Sequence, residues 1–250
     1  MKSITDILKS SNLLSIYLTA GFPTVERTIE ILTEIEDYGV DFVELGMPFS
    51  DPLADGETIQ QSSVTAIRNG MTLANYFEVL KIVRERTDLP IVYMGYLNQI
   101  MQYGAEAFCK KCNELDIQNL IIPDLPIEVY EKEYKQLFEK YGLLMSFLIT
   151  PTTPEERIRN IEELTTGFIY VVSSSSVTGK KRKITKKQQK HYEKIKAMKL
   201  SKPTMIGFGI YDKATYEFAC QYANGAIIGS EFIRYVAKEN AAQFLTSLKA

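Results

Sequence analysis

Short runs rich in Ile, Val, Leu and Tyr recur along the chain, and the polar stretches between them place their apolar residues at helical spacing. Apolar runs of strand length alternating with longer amphipathic segments predict parallel strands joined by crossover helices. The strands are expected at 13–19, 41–46, 90–96, 119–124, 143–150, 168–173, 203–209 and 225–229. The helices are expected at 25–38, 72–87, 104–115, 127–140, 154–165, 187–199, 212–223 and 231–248. Eight βα units with no break in composition predict an α/β fold, a (β/α)8 TIM barrel forming a single domain over residues 1–250. An open doubly wound sheet would show a dinucleotide-type glycine fingerprint after the first strand, and none is visible there. Two short extra helices complete the pattern: 57–70 after the second strand, and 2–10, placed to plug the bottom of the barrel.

Composition and charge then exclude several classes. A hydrophobic content of 45% over 250 residues supplies a sizeable core. A formal charge of −2 provides no field to attract nucleic acid or an anionic membrane. The apolar runs at 91–94 and 119–123 fall far short of the roughly 20 residues that span a bilayer. The N-terminus leads into an amphipathic pattern without a signal-peptide core, and three cysteines fit a reducing compartment, so a cytoplasmic location is expected. Cys109 and Cys112 spell C-x-x-C, but inside a helix pattern, and His191 is the one histidine, in a lysine-rich helix. Neither builds a metal site or a Ser-His-Asp triad, so no metal is expected.

Chemistry in such barrels lies at the C-terminal ends of the strands. The second strand runs out through Phe42-Val43-Glu44-Leu45-Gly46-Met47-Pro48-Phe49-Ser50-Asp51-Pro52-Leu53-Ala54-Asp55-Gly56, where prolines and glycines forbid a regular element until a helix can begin near Glu57. Glu44 inside an apolar strand belongs near a pocket mouth, and Asp55 arrives at the same mouth from the loop, the arrangement that acid/base chemistry needs. Each acid alone also fits a structural role, Glu44 as an interior salt-bridge partner and Asp55 as a helix N-cap. Tyr17, Tyr96 and Tyr170, at three other strand ends, fit either an apolar slot for a flat ring or ordinary barrel layers. Gly207-Phe208-Gly209 and Gly229-Ser230 close the last two strands, where close backbone approach and free amides at a helix start favour phosphate.

The fifteen-residue stretch closely resembles the signature of tryptophan synthase alpha subunits, with its Glu-Leu-Gly, Pro-Phe-Ser-Asp-Pro and Ala-Asp-Gly, and the resemblance extends strand end by strand end over the whole chain. It implies a lyase that splits indole-3-glycerol phosphate into indole and glyceraldehyde 3-phosphate, with Glu44 as proton carrier and Asp55 accepting the indole N–H. It implies that Tyr17, Tyr96 and Tyr170 line the indole pocket, and that Gly179 joins Gly207, Phe208, Gly209, Gly229 and Ser230 at the phosphate. Val177-Thr178-Gly179 would form a lid whose Thr178 touches Asp55; family members often carry arginine where this chain has Ser174. No cofactor is implied here; pyridoxal phosphate belongs to the partner beta subunit of an alpha2-beta2 complex, which would press on Pro48, Phe49 and Asp51. A free-standing lyase of the same family and a silent regulatory partner of the beta subunit are the competing readings.

Overall fold

The computed structural model describes residues 3–52, 55–172 and 184–249. Eight parallel strands close into a barrel in sequence order, β1 to β8, with β8 pairing back onto β1. They are β1 Leu13–Thr19, β2 Phe42–Gly46, β3 Ile91–Met94, β4 Ile117–Ile121, β5 Leu144–Ile149, β6 Ile169–Val172, β7 Thr204–Gly207 and β8 Gly225–Ile228. Each lies within or close to its expected run, because a parallel strand covered on both faces reads as an unbroken apolar stretch.

The first helices are α1 Ile4–Ile7, α2 Val25–Glu34 (prolonged by a 3-10 turn, Ile35–Tyr38), α3 Glu57–Arg68, α4 Leu73–Arg84, α5 Leu97–Tyr103 and α6 Ala105–Glu114. Next come α7 Ile127–Val129, a π-helical turn Tyr130–Tyr134, α8 Lys135–Lys140, α9 Glu155–Leu164 and α10 Lys186–Ala197. The last are α11 Lys213–Cys220, α12 Ser230–Val236 and α13 Ala241–Lys249. As expected of a bottom plug, α1 meets the N-terminal end of β4, where the Ile4 amide donates to Gln118 Oε1 at 3.1 Å. None of the helices among the described residues is long and apolar enough to cross a membrane.

Three elements differ from expectation, each for a local reason. Strand β4 starts two residues early, because Gln118 disguises its beginning: its side chain ties to α1 rather than reading as a strand residue. Strand β3 stops at Met94, two residues before its expected end, and an unexpected helix, α5, follows from Leu97, where the Tyr96 amide donates to Gln99 Oε1 as the helix begins. The final helix is two, because Glu239 adopts φ +59° and turns the chain between α12 and α13.

The barrel interior sets the floor of the mouth. Phe42 on β2 and Phe168, just before β6, meet across the barrel with ring centroids 5.8 Å apart, both fully buried. Side chains two apart on a strand share a face, so Glu44 and Gly46 point inward above Phe42, and Tyr170 points inward above Phe168. Removing one ring of this floor leaves a cavity that rigid strands cannot close. Phe42→Ala is expected to cost about 3–5 kcal/mol, read as a lower urea midpoint with an unchanged slope.

Candidate active site

Barrel register brings the site together. Tyr17 pairs with Glu44 between β1 and β2, so the two side chains stand side by side on the inner face. The Tyr17 ring leans over the next inward position, Gly46, where a Cβ would lie 2.1 Å from its hydroxyl. Tyr170 does the same between β6 and β7: it pairs with Met205, and a Cβ on Gly207 would lie 2.0 Å from its hydroxyl. The glycines that end β2 and β7 are therefore glycines because a tyrosine occupies the space. Gly207 therefore has a packing reason within the protein itself, the Tyr170 ring, beside the close ligand approach expected of it.

The loop after β2 delivers the second acid. It is anchored where the Met47 amide donates to the Met94 carbonyl at 2.7 Å and where Gln99 Nε2 donates to the Pro48 carbonyl at 2.8 Å. Phe49 stacks on Tyr96 with ring centroids 4.8 Å apart, and the Tyr96 hydroxyl donates to Asp55 Oδ2 at 3.3 Å. Asp55 does not cap the following helix: Gly56 holds that position without a side-chain bond. Nor is Glu44 an interior salt-bridge partner, since neither of its oxygens has a hydrogen-bond partner among the described residues, and Asp55 Oδ1 has none either. The expectation that Pro48 and Phe49 face outward is also corrected. Pro48 is buried and Phe49 half-buried against Tyr96, leaving Ser50 and Asp51 exposed.

Burial without partners sets the electrostatics. Desolvation, and then the neighbouring Asp55, push the Glu44 carboxyl well above the usual carboxylate range. Burial also raises Asp55, from 3.8 to about 6, while the hydrogen bond from Tyr96 opposes the rise. Both acids are thereby raised, Glu44 with nothing among the described residues to oppose the rise and Asp55 against the Tyr96 bond; near neutral pH Asp55, at about 6, has largely lost its proton. Tyr17 and Tyr170 are raised by burial and then by these same two acids, which marks both phenols as neighbours of the pair.

The far side of the mouth is formed by the ends of β7 and β8. Phe208 and Gly209 adopt φ +67° and +78°, a conformation that costs a phenylalanine roughly 1–2 kcal/mol. Phe208 sets its ring edge-on to Tyr170, with centroids 6.2 Å apart. Gly229 is the N-cap of α12 and gives no side-chain cap to the amides that follow Ser230. A Cβ on Gly229 would find only ordinary contacts, 3.6 Å from Ile59 and Tyr17, so packing does not demand glycine there. Thr178, Gly179 and Ser174 lie outside the described residues.

A hydroxyl not singled out from the sequence, Thr19, reaches Tyr17, and a second, Ser62, reaches Thr19. Thr19 Oγ1 lies 3.5 Å from the Tyr17 hydroxyl and 2.6 Å from Ser62 Oγ on α3, all three residues being buried. The available signal was the spacing of Tyr17 and Thr19, which puts them on one strand face. Among the described residues no group of three His, Cys, Asp or Glu side chains could hold a metal ion. Cys109 and Cys112 are buried free thiols, and burial pushes the Cys109 thiol up to about 12, far from reactive. His191 is buried on α10, and desolvation lowers its pKa.

The chain is similar to known proteins along nearly its whole length. A family model described as tryptophan synthase alpha chain matches residues 5–250. The tryptophan synthase alpha chain of Flavobacterium johnsoniae is 50% identical over 244 residues, 97% of this chain and 96% of the relative. That of Bacteroides thetaiotaomicron is 46% identical over 241 residues, 96% and 94% of the two chains. Among solved structures, the tryptophan synthase A-subunit of Pyrococcus furiosus superposes with a TM-score of 0.86 at 31% identity, covering 96% of this chain and 98% of that one. A chain of Mycobacterium tuberculosis tryptophan synthase gives 0.89 at 25% identity, covering 99% and 96%.

The buried acids carry a stability signature. A folded-state pKa raised above the unfolded value means that the native protein keeps a proton the unfolded chain has lost. For Asp55 that contribution is fully present below pH 3.8 and is lost as pH rises to about 6. Above that, the charged group costs roughly 2–3 kcal/mol, and Glu44 adds a cost in the same direction. Asp55→Asn and Glu44→Gln are expected to raise the melting temperature at pH 8 relative to the parent, with the advantage shrinking toward pH 4 in thermal melts across that range.

Proposed function

The chain belongs to the tryptophan synthase alpha chain family, and from that premise we propose that it cleaves indole-3-glycerol phosphate by a retro-aldol step to indole and glyceraldehyde 3-phosphate. The observation that carries this reading is the pair of buried acids, Glu44 and Asp55, facing one barrel mouth without ionic partners among the described residues and both raised by burial, Asp55 to about 6. In the proposed reaction the protonated Glu44 gives its proton to the indole ring carbon that bears the glycerol phosphate, and the positive charge that develops spreads onto the ring nitrogen. Ionised Asp55 accepts the ring N–H and stabilises that charge. The Glu44 carboxylate then takes the proton of the adjacent hydroxyl as the carbon–carbon bond breaks. The bonding electrons restore the indole, the hydroxyl carbon becomes the aldehyde, and Glu44 returns to its starting form. Acid/base chemistry alone balances this sequence, so the proposal needs neither metal nor organic cofactor.

The pocket residues take the roles their positions favour. Tyr17, Tyr96 and Tyr170, all buried around the acids, form the slot for the indole ring. Gly207, Phe208, Gly209, Gly229 and Ser230 hold the phosphate at the opposite side, with backbone amides in place of full positive charge. Thr178 and Gly179 are proposed to close over it. The partner is a tryptophan synthase beta subunit in an alpha2-beta2 complex, holding the pyridoxal phosphate, and the exposed Ser50 and Asp51 with Met101 on α5 form the surface offered to it.

Indole release from indole-3-glycerol phosphate by the purified chain tests the reading. Glu44→Gln and Asp55→Asn should each lower turnover by about 10²–10⁴-fold, equal to about 3–5 kcal/mol of barrier, while the fold persists. Near-normal release by Glu44→Gln would remove its assigned role. Co-elution with the beta subunit on gel filtration, weakened by Asp51→Lys, checks the docking surface.

A further inference from the structure

The turn of the loop at Pro48 lacks a donor of its own. Proline has no amide proton, so the backbone of Pro48 can be fastened only through its carbonyl, and Pro52 removes a second donor from the same loop. Gln99 supplies the missing donor: its Nε2 gives a proton to the Pro48 carbonyl at 2.8 Å. The oxygen of the same carboxamide accepts the Tyr96 amide at 3.4 Å. One half-buried side chain thus bridges the loop after β2 and the residue whose hydroxyl reaches Asp55.

Two further contacts complete the link. Phe49, next to Pro48, lies on the Tyr96 ring with centroids 4.8 Å apart, and the Tyr96 hydroxyl donates to Asp55 Oδ2 at 3.3 Å. That last distance is beyond the usual span of an O–H···O bond, so a small displacement of either partner loses it. The Asp55 backbone is held separately, its amide giving to the Pro52 carbonyl at 3.0 Å and its carbonyl accepting from Gln60 Nε2 at 2.9 Å. Those two bonds do not set where Tyr96 stands against the carboxylate. Gln99 is also the third residue of α5, where a glutamine reaching back to the N-cap amide steadies a helix start. Capping uses only the carboxamide oxygen, and the bond from its nitrogen to another segment serves no part of it.

We propose that Gln99 is a positioning residue for Asp55: by holding the Pro48 carbonyl with one end of its carboxamide and the Tyr96 amide with the other, it keeps the Tyr96 hydroxyl on the Asp55 carboxylate. The inference rests on the reading of Asp55 as a catalytic acid. Its test is chosen to need no substrate, so that failed indole release would sink that reading while leaving the shifts below in place.

The measurement is a carbon-13 NMR titration of the Asp55 carboxyl carbon in the ligand-free protein, with thermal melts alongside. The titratable groups facing Asp55 are Glu44 from β2, Tyr17 from β1, Tyr170 from β6 and Tyr96 before α5, while Asp51 and Glu57 on its own segment are exposed. The Tyr96 bond favours the charged form, so its loss raises the midpoint. Tyr96→Phe should raise it by about one pH unit, the scale of a hydrogen bond to a charged group. Gln99→Met removes both ends of the bridge and should raise the midpoint by no more than that. The Tyr96→Phe/Gln99→Met double variant should titrate as Tyr96→Phe alone. Gln99→Glu keeps an oxygen for the Tyr96 amide but, as a carboxylate, cannot donate to Pro48. It should melt with the parent, still raise the midpoint, and lose most of that effect once the Tyr96 hydroxyl is gone, which keeps the test decisive if the methionine variant folds poorly. A midpoint unmoved by either Gln99 variant, or shifts of equal size with and without the Tyr96 hydroxyl, would overturn the proposal.

Discussion

The site exists because the barrel holds two carboxylates in one dry mouth and gives them unequal help. A buried acid without a partner is stable only as the neutral form, and a second acid beside it sharpens the choice, because two like charges in a low dielectric repel strongly. Glu44 stands on the strand directly above the Phe42–Phe168 floor, with no donor to its oxygens among the described residues. Asp55 comes from the loop, and Tyr96 donates to it. That hydrogen bond gives Asp55 an opposition to its rise that Glu44 lacks among the described residues. The cost of burying both is carried by the large apolar core, as in other sites whose function needs a locally unfavourable arrangement.

Precision at the mouth comes from backbone register rather than from side-chain packing alone. Tyr17 over Gly46 and Tyr170 over Gly207 repeat one device: an aromatic ring leans across to the neighbouring strand and occupies the place of a missing Cβ two residues beyond its own partner. Tyr93 instead leans along its own strand, over Gly95, and packs edge-on against Tyr76 and Phe108. A ring fixed by its own strand and by the glycine beneath it has few rotamers left. The groups around the acids are thus set by the most rigid part of the fold, as the geometry of acid/base catalysis requires.

Most of this frame was legible in the sequence because parallel strands buried on both faces and helices at helical spacing leave different periods. The parts that were not legible share one cause: a polar or short segment whose partner is distant in sequence. Gln118 reads as a loop residue until Ile4 of α1 is placed beside it, and α5 is too short for its periodicity to show. The two acids and three tyrosines could be named from their strand ends, but not their relations. That Asp55 meets Tyr96 rather than capping α3 depends on Phe49 folding back onto the Tyr96 ring. The reason for Gly207 lies on another strand, and the Ser62–Thr19–Tyr17 file crosses from a helix to the barrel, beyond the reach of any local pattern.

The loop after β2 and the start of α5 form one mechanical unit, and the division of labour between the acids depends on it. Gln99 holds the Pro48 carbonyl, Phe49 lies on Tyr96, and Tyr96 reaches Asp55, so these contacts make a closed circuit from the loop's root to its inner end. Exposed Ser50 and Asp51 sit on the same circuit, one residue from the stacked ring. A displacement of Phe49 withdraws support from the Tyr96 ring, and with it the hydrogen bond that opposes the rise in the Asp55 pKa. Without that donor, desolvation would raise Asp55 further. A single phenol thus converts the shape of a surface loop into the charge of a buried carboxylate.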